Sequence, residues 1–396
     1  MSTFGRALFA GAMFAAASAS AQELRIGYVS TMTGPGAAIG SHHVNGWKLG
    51  LEHEGWTKDG DKLGGVPTRL FYGDDQFKPD VGLSEVEKML KEHKVQVVAG
   101  FIWSNVMLAA QRPIMEAKVG MLITNAGASP VFGPLCNPLI VSTSWQSDQS
   151  PEALGRLISN EKVGKIYLMS PNYQAGKDAM AGVKRTLKGP EIVGETLFKV
   201  GETDFQADIS KVRAAKPDAV FIFAPGAMAP AFFKQWAASG AGSEIKLFTT
   251  NTVDHVTLGA LGDAAVGSFH ALHWNVDFPN PANQRFVKDY VAKFGHLPSN
   301  YAQQAYDAPR LLAATLRALG GKVESPAALM KAMRKTPYES TRGAYTYNVN
   351  GLPIQDFWRL DVVKGADGKP AIVTKGVVVE KAKDLYWEKC PPEMRH

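Results

Sequence analysis

The sequence has no hydrophobic run long enough to span a bilayer. The apolar run near its start, Ala7–Ala17, has about 11 residues, whereas a transmembrane helix needs roughly 20. Arg6 precedes this run and Ala19-Ser20-Ala21 follows it, a pattern typical of a signal peptide and its cleavage site. We therefore predict a cleaved signal peptide over residues 1–21 and export of the mature chain. A buried N-terminal helix is the alternative.

Cysteine is scarce, because the chain contains only Cys136 and Cys390. Neither has a CxxC partner or a nearby histidine, which argues against a metal site. In an oxidising compartment an even pair favours a disulfide. We expect this pair to form a structural disulfide that ties the C-terminal tail to a loop in the first half of the chain, and we expect no metal ion.

Signatures of catalysis are also missing. The sequence has no GxSxG, HExxH or P-loop motif, and its nine histidines are scattered without an evident partner. Among them His255 and His273 are candidates for a binding cleft, although core or surface positions fit them better. Asp74 and Asp75 suit an acid–base or metal pair, but adjacent aspartates at a strand end more often cap a helix or brace a hinge. An exported enzyme is therefore the least supported hypothesis.

Little in the sequence favours binding of nucleic acids or dinucleotides. The net charge of +6 is mild for 396 residues, and no run of Lys and Arg is interleaved with aromatic residues. Gly34, Gly36 and Gly40 approach the GxGxxG fingerprint, but one residue too many separates the last two. These glycines still suit a helix N-terminus that faces an anion such as a carboxylate. We predict no cofactor.

The chain does contain a repeated alternation of strands and helices. One block begins at Leu24 and a second begins near Lys165, after which the chain returns to the first block. This order predicts an α/β protein of two doubly wound, Rossmann-like lobes joined by several strands, with a ligand cleft between them. The predicted boundaries are residues 22–146 and 275–352 for lobe 1, and residues 147–274 and 353–396 for lobe 2.

The stretch from Val97 to Pro130 carries the most informative loops. Its pattern predicts a strand, a loop, a helix, a strand and a loop over Val95–Gly100, Phe101–Asn105, Val106–Ala117, Val119–Thr124 and Asn125–Pro130. Both loops follow the carboxyl ends of short apolar strands, where open parallel sheets bind small ligands. They carry small polar residues and no His, Cys, Asp or Glu. We interpret them as loops that hold a ligand rather than transform it.

Eight motifs together resemble those of one family. They are RIGYVSTMTGPGAAIG, YGDDQFKPDVG, AGFIWSN, ITNAGASP, PNYQAGKD, LGDAAVGS, AYDAPRLL and NGLPIQDFW. Through them, essentially the whole mature chain resembles the type I periplasmic solute-binding proteins of branched-chain amino acid ABC importers. The resemblance implies a fold of two lobes joined by three crossover strands, a periplasmic location, a monomer, and an ABC transporter permease as partner.

The resemblance also implies roles for single residues. Ser104 corresponds to the serine that holds the ligand carboxylate through its hydroxyl and backbone N–H. Tyr173 corresponds to an aromatic residue of the second lobe that closes over the ligand, and Ile39 falls beside the ligand's tail. The full set of expected ligand-binding residues is Ile39, Phe101, Trp103, Ser104, Asn125, Ala126, Gly127, Ala128, Trp145, Tyr173, Thr252 and Asp254.

The chain departs from the amino-acid binders of this family where they neutralise the ligand's ammonium group. Their threonine corresponds to Ala128 here, and their acidic residue falls at or near Thr252, although Asp254 is able to substitute if the loop is shifted. A buried ammonium without a counter-charge costs several kcal/mol. A carboxylate without an amine therefore fits better than a zwitterion.

The expected ligand follows from the aromatic residues in these segments. Phe101, Trp103, Trp145 and Tyr173 offer surfaces that can sandwich a ring, although each also suits ordinary core packing. The FIWSN and TSWQSDQ segments further resemble the subgroup that binds aromatic acids such as benzoate or coumarate derivatives. We predict a receptor for an aromatic acid; the alternative is a branched-chain amino acid or amide receptor.

Overall fold

The computed structural model describes residues 23–395, and the predicted signal peptide lies outside them. The first lobe is built on a six-stranded sheet. Its strands are β1 (Leu24–Ser30), β2 (Lys62–Leu63), β3 (Val66–Asp74), β4 (Val97–Gly100), β5 (Gly120–Ile123) and β6 (Ile140–Ser142). The strand order is β2-β3-β1-β4-β5-β6, and every pair except β2–β3 is parallel. Strands β4 to β6 are buried along their whole length, as expected for a parallel sheet covered on both faces.

Helices cover this sheet. The first four are α1 (Ala37–His53), α2 (Pro79–Lys91), α3 (Ser104–Glu116) and α4 (Ser129–Phe132). Three more follow the second lobe in sequence, namely α10 (Pro281–Phe294), α11 (Asn300–Ala318) and α12 (Pro326–Met333). Helix α11 packs closely on α1 because Gly46 and Gly50 lack side chains: a Cβ at Gly46 would lie 2.0 Å from the Ala302 carbonyl oxygen. This close packing fixes the start of α11.

The second lobe has a four-stranded parallel sheet in the order β10-β9-β7-β8. Its elements, in chain order, are α5 (Gln149–Ser159), β7 (Lys165–Pro171), α6 (Gln174–Thr186), β8 (Glu191–Phe198), α7 (Gln206–Ala215), β9 (Ala219–Ile222), α8 (Met228–Ala238), β10 (Lys246–Thr249), α9 (Leu258–Leu261) and β11 (Phe269–Leu272). A core of aromatic and aliphatic residues, with Phe232 at 0% exposure, lies against this sheet. The two sheets confirm the predicted α/β class with two doubly wound blocks.

A third, antiparallel sheet links the blocks. Its strands are β11, β12 (Thr346–Tyr347), β13 (Pro353–Lys364) and β14 (Pro370–Ala382). The start of β13 pairs with β12, and its later part pairs with β11, where Trp358 is opposite Leu272. One long strand therefore runs from the first block to the second. No helix within residues 23–395 is long and apolar enough to cross a membrane.

The start of α3 differs from the sequence prediction. The helix begins at Ser104, two residues before the predicted start at Val106, because Trp103 is extended and its carbonyl accepts the first helical hydrogen bond, from the Met107 N–H at 3.0 Å. The predicted loop from Asn125 to Pro130 likewise ends early, since α4 begins at Ser129. Ser104 is thus part of a helix N-terminus and not of a loop.

The C-terminal tail is tied to the first block. Cys136 and Cys390 form the predicted disulfide, with their Cα atoms 5.5 Å apart. The buried Asp384 carboxylate accepts hydrogen bonds from the side-chain amides of Asn348 and Asn350 at 2.9 and 3.0 Å. All three partners of the tail lie in segments predicted for lobe 1. We therefore propose that lobe 2 ends near Ala382 and that the following residues belong with lobe 1.

Candidate functional site

A cavity lies where the two parallel sheets face each other, with about 460 Å³ of space that includes volume open to solvent. Six of its seven wall segments follow the carboxyl ends of strands β4, β5, β6, β7, β9 and β10, and the seventh is the start of α11. Carboxyl ends of parallel strands are the usual ligand-binding edge of such sheets. The residues that line the cavity are Ile102, Trp103, Ser104, Asn125, Ala126, Gly127, Trp145, Ser147, Tyr173, Ala175, Ala179, Phe223, Pro225, Thr250, Asn251 and Tyr301.

Seven of the twelve expected ligand-binding residues line this cavity: Trp103, Ser104, Asn125, Ala126, Gly127, Trp145 and Tyr173. Five do not, namely Ile39, Phe101, Ala128, Thr252 and Asp254. Apart from Tyr173, sequence reasoning missed the second lobe's residues in the wall, namely Ala175, Ala179, Phe223, Pro225, Thr250 and Asn251. Phe223, Thr250 and Asn251 directly follow β9 and β10, so the rule that ligands bind at the carboxyl ends of parallel strands is the signal that points to them. The sequence held no comparable signal for Tyr301.

Phe101 shapes the loop that follows β4, although its side chain does not line the cavity. It is fully buried and has a left-handed backbone conformation (φ 69°), directly after Gly100 with φ 111°. Its N–H donates to the Val29 carbonyl, and its own carbonyl accepts from the Ala126 N–H, both at 2.9 Å. Positive φ is uncommon for a residue other than glycine, so these bonds hold an unusual turn. The turn directs the following residues, from Ile102 onward, to the cavity wall.

Trp103 is held in place by a chain of hydrogen bonds. Its indole N–H donates to the Thr31 hydroxyl at 2.7 Å, and that hydroxyl donates to the Asp75 carboxylate at 2.5 Å. Its ring stacks on Phe77 with the ring centres 3.8 Å apart. A Cβ at Gly36 would lie 2.9 Å from the Trp103 ring. That glycine therefore makes room for the tryptophan and does not line the cavity, contrary to the expected anion site.

The paired aspartates brace the loop after β1. Asp74 accepts hydrogen bonds from the Met32 N–H at 2.8 Å and the Thr33 hydroxyl at 2.5 Å. Asp75 accepts from the Thr31 hydroxyl, and burial raises its pKa. Neither carboxylate lines the cavity. The bracing interpretation of this pair agrees with these contacts.

Ser104 brings a helix N-terminus to the cavity. It is the first residue of the 13-residue helix α3 and is 2% exposed. The N–H groups of a helix's first turn have no partner within the helix, and the helix dipole makes that end partly positive. Helix α6 presents its N-terminus to the same cavity through Tyr173 and Ala175. Two helix ends, one from each lobe, therefore favour an anion here.

Aromatic side chains form much of the remaining wall. Tyr173 and Phe223 lie with their ring planes 20° apart and their centres 6.3 Å apart. Trp145 packs against His273, whose pKa burial lowers well below its usual range, so this histidine is neutral. None of the cavity-lining residues in the described chain is acidic or basic. The cavity therefore offers ring surfaces and neutral hydrogen-bond donors.

Thr252 and Asp254 use their side chains locally. The Thr252 hydroxyl accepts from the Ala224 N–H at 2.9 Å. The Asp254 carboxylate accepts from the N–H groups of Val256 and Thr257 at 2.8 and 3.1 Å, which caps a turn. Asp254 lines a separate, small pocket beside His255, and burial raises its pKa to about 6. Its carboxylate is therefore not a wall of the main cavity.

Two contacts connect the lobes beside the cavity. A Cβ at Gly226 of the second lobe would lie 3.0 Å from Ile39 of the first. Ser129, at the start of α4, donates its N–H and its hydroxyl to the Asp178 carboxylate of α6, at 2.9 and 2.7 Å. Ala128 is fully buried beside this contact. Because Ala128 lies outside the cavity wall, its missing hydroxyl does not decide between ligands.

Comparison with known proteins identifies similar chains over nearly the full length. A family model described as periplasmic binding protein matches residues 23–369. Leu/Ile/Val-binding protein homolog 6 of Brucella melitensis is 26% identical over 374 residues, which cover 91% of this chain and 94% of the relative.

Two solved structures are similar in both sequence and fold. One is a solute-binding protein of an ABC transporter from R. palustris in complex with benzoate, with a TM-score of 0.84 and 28% identity, covering 92% of this chain and 99% of that one. The other is a solute-binding protein of an ABC transporter from Rhodopseudomonas palustris BisB5 in complex with 3,4-dihydroxybenzoic acid. It has a TM-score of 0.84 and 29% identity over the same shares of the two chains.

Proposed function

Since the chain belongs to the periplasmic binding protein family, we propose that it captures a small aromatic carboxylate between its lobes and delivers it to an ABC importer. The family and the fold are those of solute-binding receptors. The observation that carries the choice of ligand is the uncharged, aromatic-walled cavity at the N-terminus of α3. The periplasmic location and the permease partner are proposed from the family.

The carboxylate is proposed to bind at Ser104. An anion there accepts hydrogen bonds from the Ser104 hydroxyl and from free N–H groups of the first helical turn, and it gains from the helix dipole. Hydrogen bonds to a charged group contribute about 1.5–3 kcal/mol each. Burial of the anion is therefore offset without a lysine or arginine in the wall.

The ring is proposed to lie among Trp145, Tyr173 and Phe223. Aromatic pairs gain about 0.5–1.5 kcal/mol beyond the burial of apolar area. Tyr173 belongs to the second lobe and Trp145 follows the last strand of the first-lobe sheet, so a ring between them contacts both lobes. Such contacts favour a closed arrangement of the lobes over an open one.

A branched-chain amino acid fits this cavity less well. Its ammonium group needs a counter-charge, since an unpaired buried charge costs several kcal/mol. Asp254, the carboxylate expected to supply it, lies in the separate small cavity. The bound aromatic acids of the two similar structures support the same choice.

A thermal-shift screen of residues 22–396 tests the proposal. The probes are benzoate, 4-hydroxybenzoate, cinnamate, octanoate, leucine and valine, each at millimolar concentration. Ligand at 100 times its Kd stabilises the folded state by about 2.7 kcal/mol, so a micromolar ligand raises Tm clearly. We expect a shift with at least one aromatic acid and none with leucine or valine. A response to the amino acids alone would overturn the proposal.

A further inference from the structure

The cavity has a second polar patch that the carboxylate at Ser104 does not use. It consists of Thr250, Asn251 and Tyr301, all of which line the cavity. Thr250 and Asn251 follow the end of β10, and Tyr301 is the second residue of α11. The patch is therefore assembled from segments that do not include the helix α3.

Asn251 has an unfavourable backbone conformation in this patch. Its backbone φ is 46°, the left-handed region, and its side chain is buried with 6% exposure. Non-glycine residues held in sparsely populated conformations cluster at ligand-binding positions, where the surrounding structure enforces them. Asparagine tolerates this region better than most residues. The conformation keeps its amide at the cavity wall.

Hydrogen bonds among Ser150, Thr250 and Asn251 do not use all the donors of this patch. The Ser150 hydroxyl donates to the Ala271 carbonyl, and it lies 3.0 Å from the Thr250 hydroxyl. The Thr250 hydroxyl lies 3.1 Å from the Asn251 carbonyl oxygen and donates to it. The Asn251 amide also acts as a hydrogen-bond neighbour of the Tyr301 hydroxyl, which leaves one of its two N–H donors available to a ligand.

Tyr301 adds a second neutral donor. Burial and the nearby Asp254 carboxylate raise its pKa well above its usual range, so its hydroxyl keeps its proton. The residue is 3% exposed. A ring without a polar substituent would desolvate these groups without replacing their hydrogen bonds, which is unfavourable for a buried polar group.

The electrostatics favour a neutral group at this patch. Asp254 is near enough to Tyr301 for its negative charge to act on the phenol, and like charges repel. The carboxylate end of a ligand is attracted to the helix N-terminus at Ser104 instead. The two patches thus distinguish the two ends of a ligand.

We infer that Thr250, Asn251 and Tyr301 bind a hydroxyl group on the ligand's ring, so that the preferred ligands are ring-hydroxylated aromatic acids. A phenolic hydroxyl both donates and accepts, which matches an amide beside a tyrosine hydroxyl. The inference rests on the proposed function, since it assumes an aromatic acid with its carboxylate at Ser104.

Calorimetric titration with benzoate, 3-hydroxybenzoate and 4-hydroxybenzoate tests the inference. We expect at least one hydroxybenzoate to bind about tenfold or more tightly than benzoate, the scale of one hydrogen bond gained plus one desolvated group satisfied. Benzoate binding as tightly as both hydroxybenzoates would overturn the inference and leave the proposed function intact. Failure of all three acids to bind, together with no response to cinnamate in the thermal-shift screen, would overturn the proposed function itself.

Two variants assign the preference to the patch. Asn251→Gly removes the amide and tolerates the left-handed backbone, and Tyr301→Phe removes only a hydroxyl. In at least one of them the hydroxybenzoate-to-benzoate affinity ratio is expected to fall toward one. Asn160→Gly, at the exposed end of α5, is the control and should keep the wild-type ratio. A wild-type ratio in both patch variants, or the loss of the ratio in the control, would overturn the assignment.

Discussion

At the scale of single residues, we propose that the site binds charge with neutral groups. Ser104 contributes a hydroxyl and the end of a helix dipole, and the carboxylate of Asp254 is kept out of the main cavity by the turn that it caps. Position relative to the backbone thus decides what each polar residue does. The spacing of residues in the sequence left open whether Asp254 reaches the cleft, because the answer depends on that turn.

Asp254 makes stability depend on pH. Burial raises its pKa to about 6, whereas an unfolded aspartate titrates near 4. The folded chain therefore holds this proton more tightly, and its contribution to stability falls as pH rises from about 4 to about 6. Asp254→Asn keeps the capping oxygen and lacks the charge. We expect the free energy of unfolding of the variant, relative to wild type, to rise by up to about 3 kcal/mol between pH 4 and pH 7.

Chemical denaturation at both pH values measures this difference. Asp61→Asn is the matched control, because backbone N–H groups and the Thr57 hydroxyl lower the pKa of Asp61. A lowered pKa stabilises the folded state at higher pH and loses that effect as pH falls, so the control should change in the opposite direction. An Asp254→Asn difference that is the same at both pH values contradicts the account.

At the scale of elements, the site lies where the carboxyl ends of strands and the N-termini of helices come together. Six strands deliver their carboxyl ends to one cavity, and α3, α6 and α11 begin there. Helices α4 and α6 also make the contact between the lobes, through Ser129 and Asp178. Because this contact joins the two lobes, we expect it to stabilise the closed arrangement.

Removal of the Ser129 hydroxyl tests this contact. Ser129→Ala loses one hydrogen bond to a buried carboxylate and keeps the backbone one, so ligand binding should weaken by about 1–3 kcal/mol. Because Ser129 does not line the cavity, the affinity ratio between two aromatic acids should stay the same. Calorimetry gives both quantities. Ser210→Ala, an exposed serine of α7, is the control, and unchanged affinity in Ser129→Ala would refute the role.

The elements were easier to predict from the sequence than the site. Apolar strands followed by amphipathic helices gave the two α/β blocks, and the strand-end rule gave Ser104 and Asn125. It would also have given Asn251 had it been applied to β10. Tyr301 could not be predicted in this way. It reaches the cavity through the packing of α11 on α1, which depends on the close approach at Gly46. Such contacts between distant segments leave no local pattern.

At the scale of the whole molecule, three features couple the lobes. Strand β13 runs from one block to the other, the disulfide anchors the tail to the first block, and the ligand cavity lies between the sheets. We propose that lobes connected in this way move as hinged bodies. Ligand capture by closure would then need no change within either sheet.

The disulfide is expected to stabilise the whole molecule. It closes a loop with a sequence separation of 254 residues, for which the chain-entropy model gives an upper limit of about 5 kcal/mol. Replacing Cys136 and Cys390 together by serine should lower Tm, and so should adding a reductant to the wild type. The double variant should not respond to reductant. A wild-type Tm that is unaffected by complete reduction would contradict this expectation.

The central claim is that the interlobe cavity holds an aromatic carboxylate with neutral donors at the start of α3. Calorimetric titration of benzoate and benzamide tests it directly, in the wild type, in Ser104→Ala and in Ser84→Ala, an exposed serine of α2. We predict that wild type and Ser84→Ala bind benzoate at least about tenfold more tightly than benzamide, and that Ser104→Ala weakens benzoate binding by about 1.5–3 kcal/mol. Equal binding of acid and amide, or unchanged benzoate affinity in Ser104→Ala, would contradict the claim.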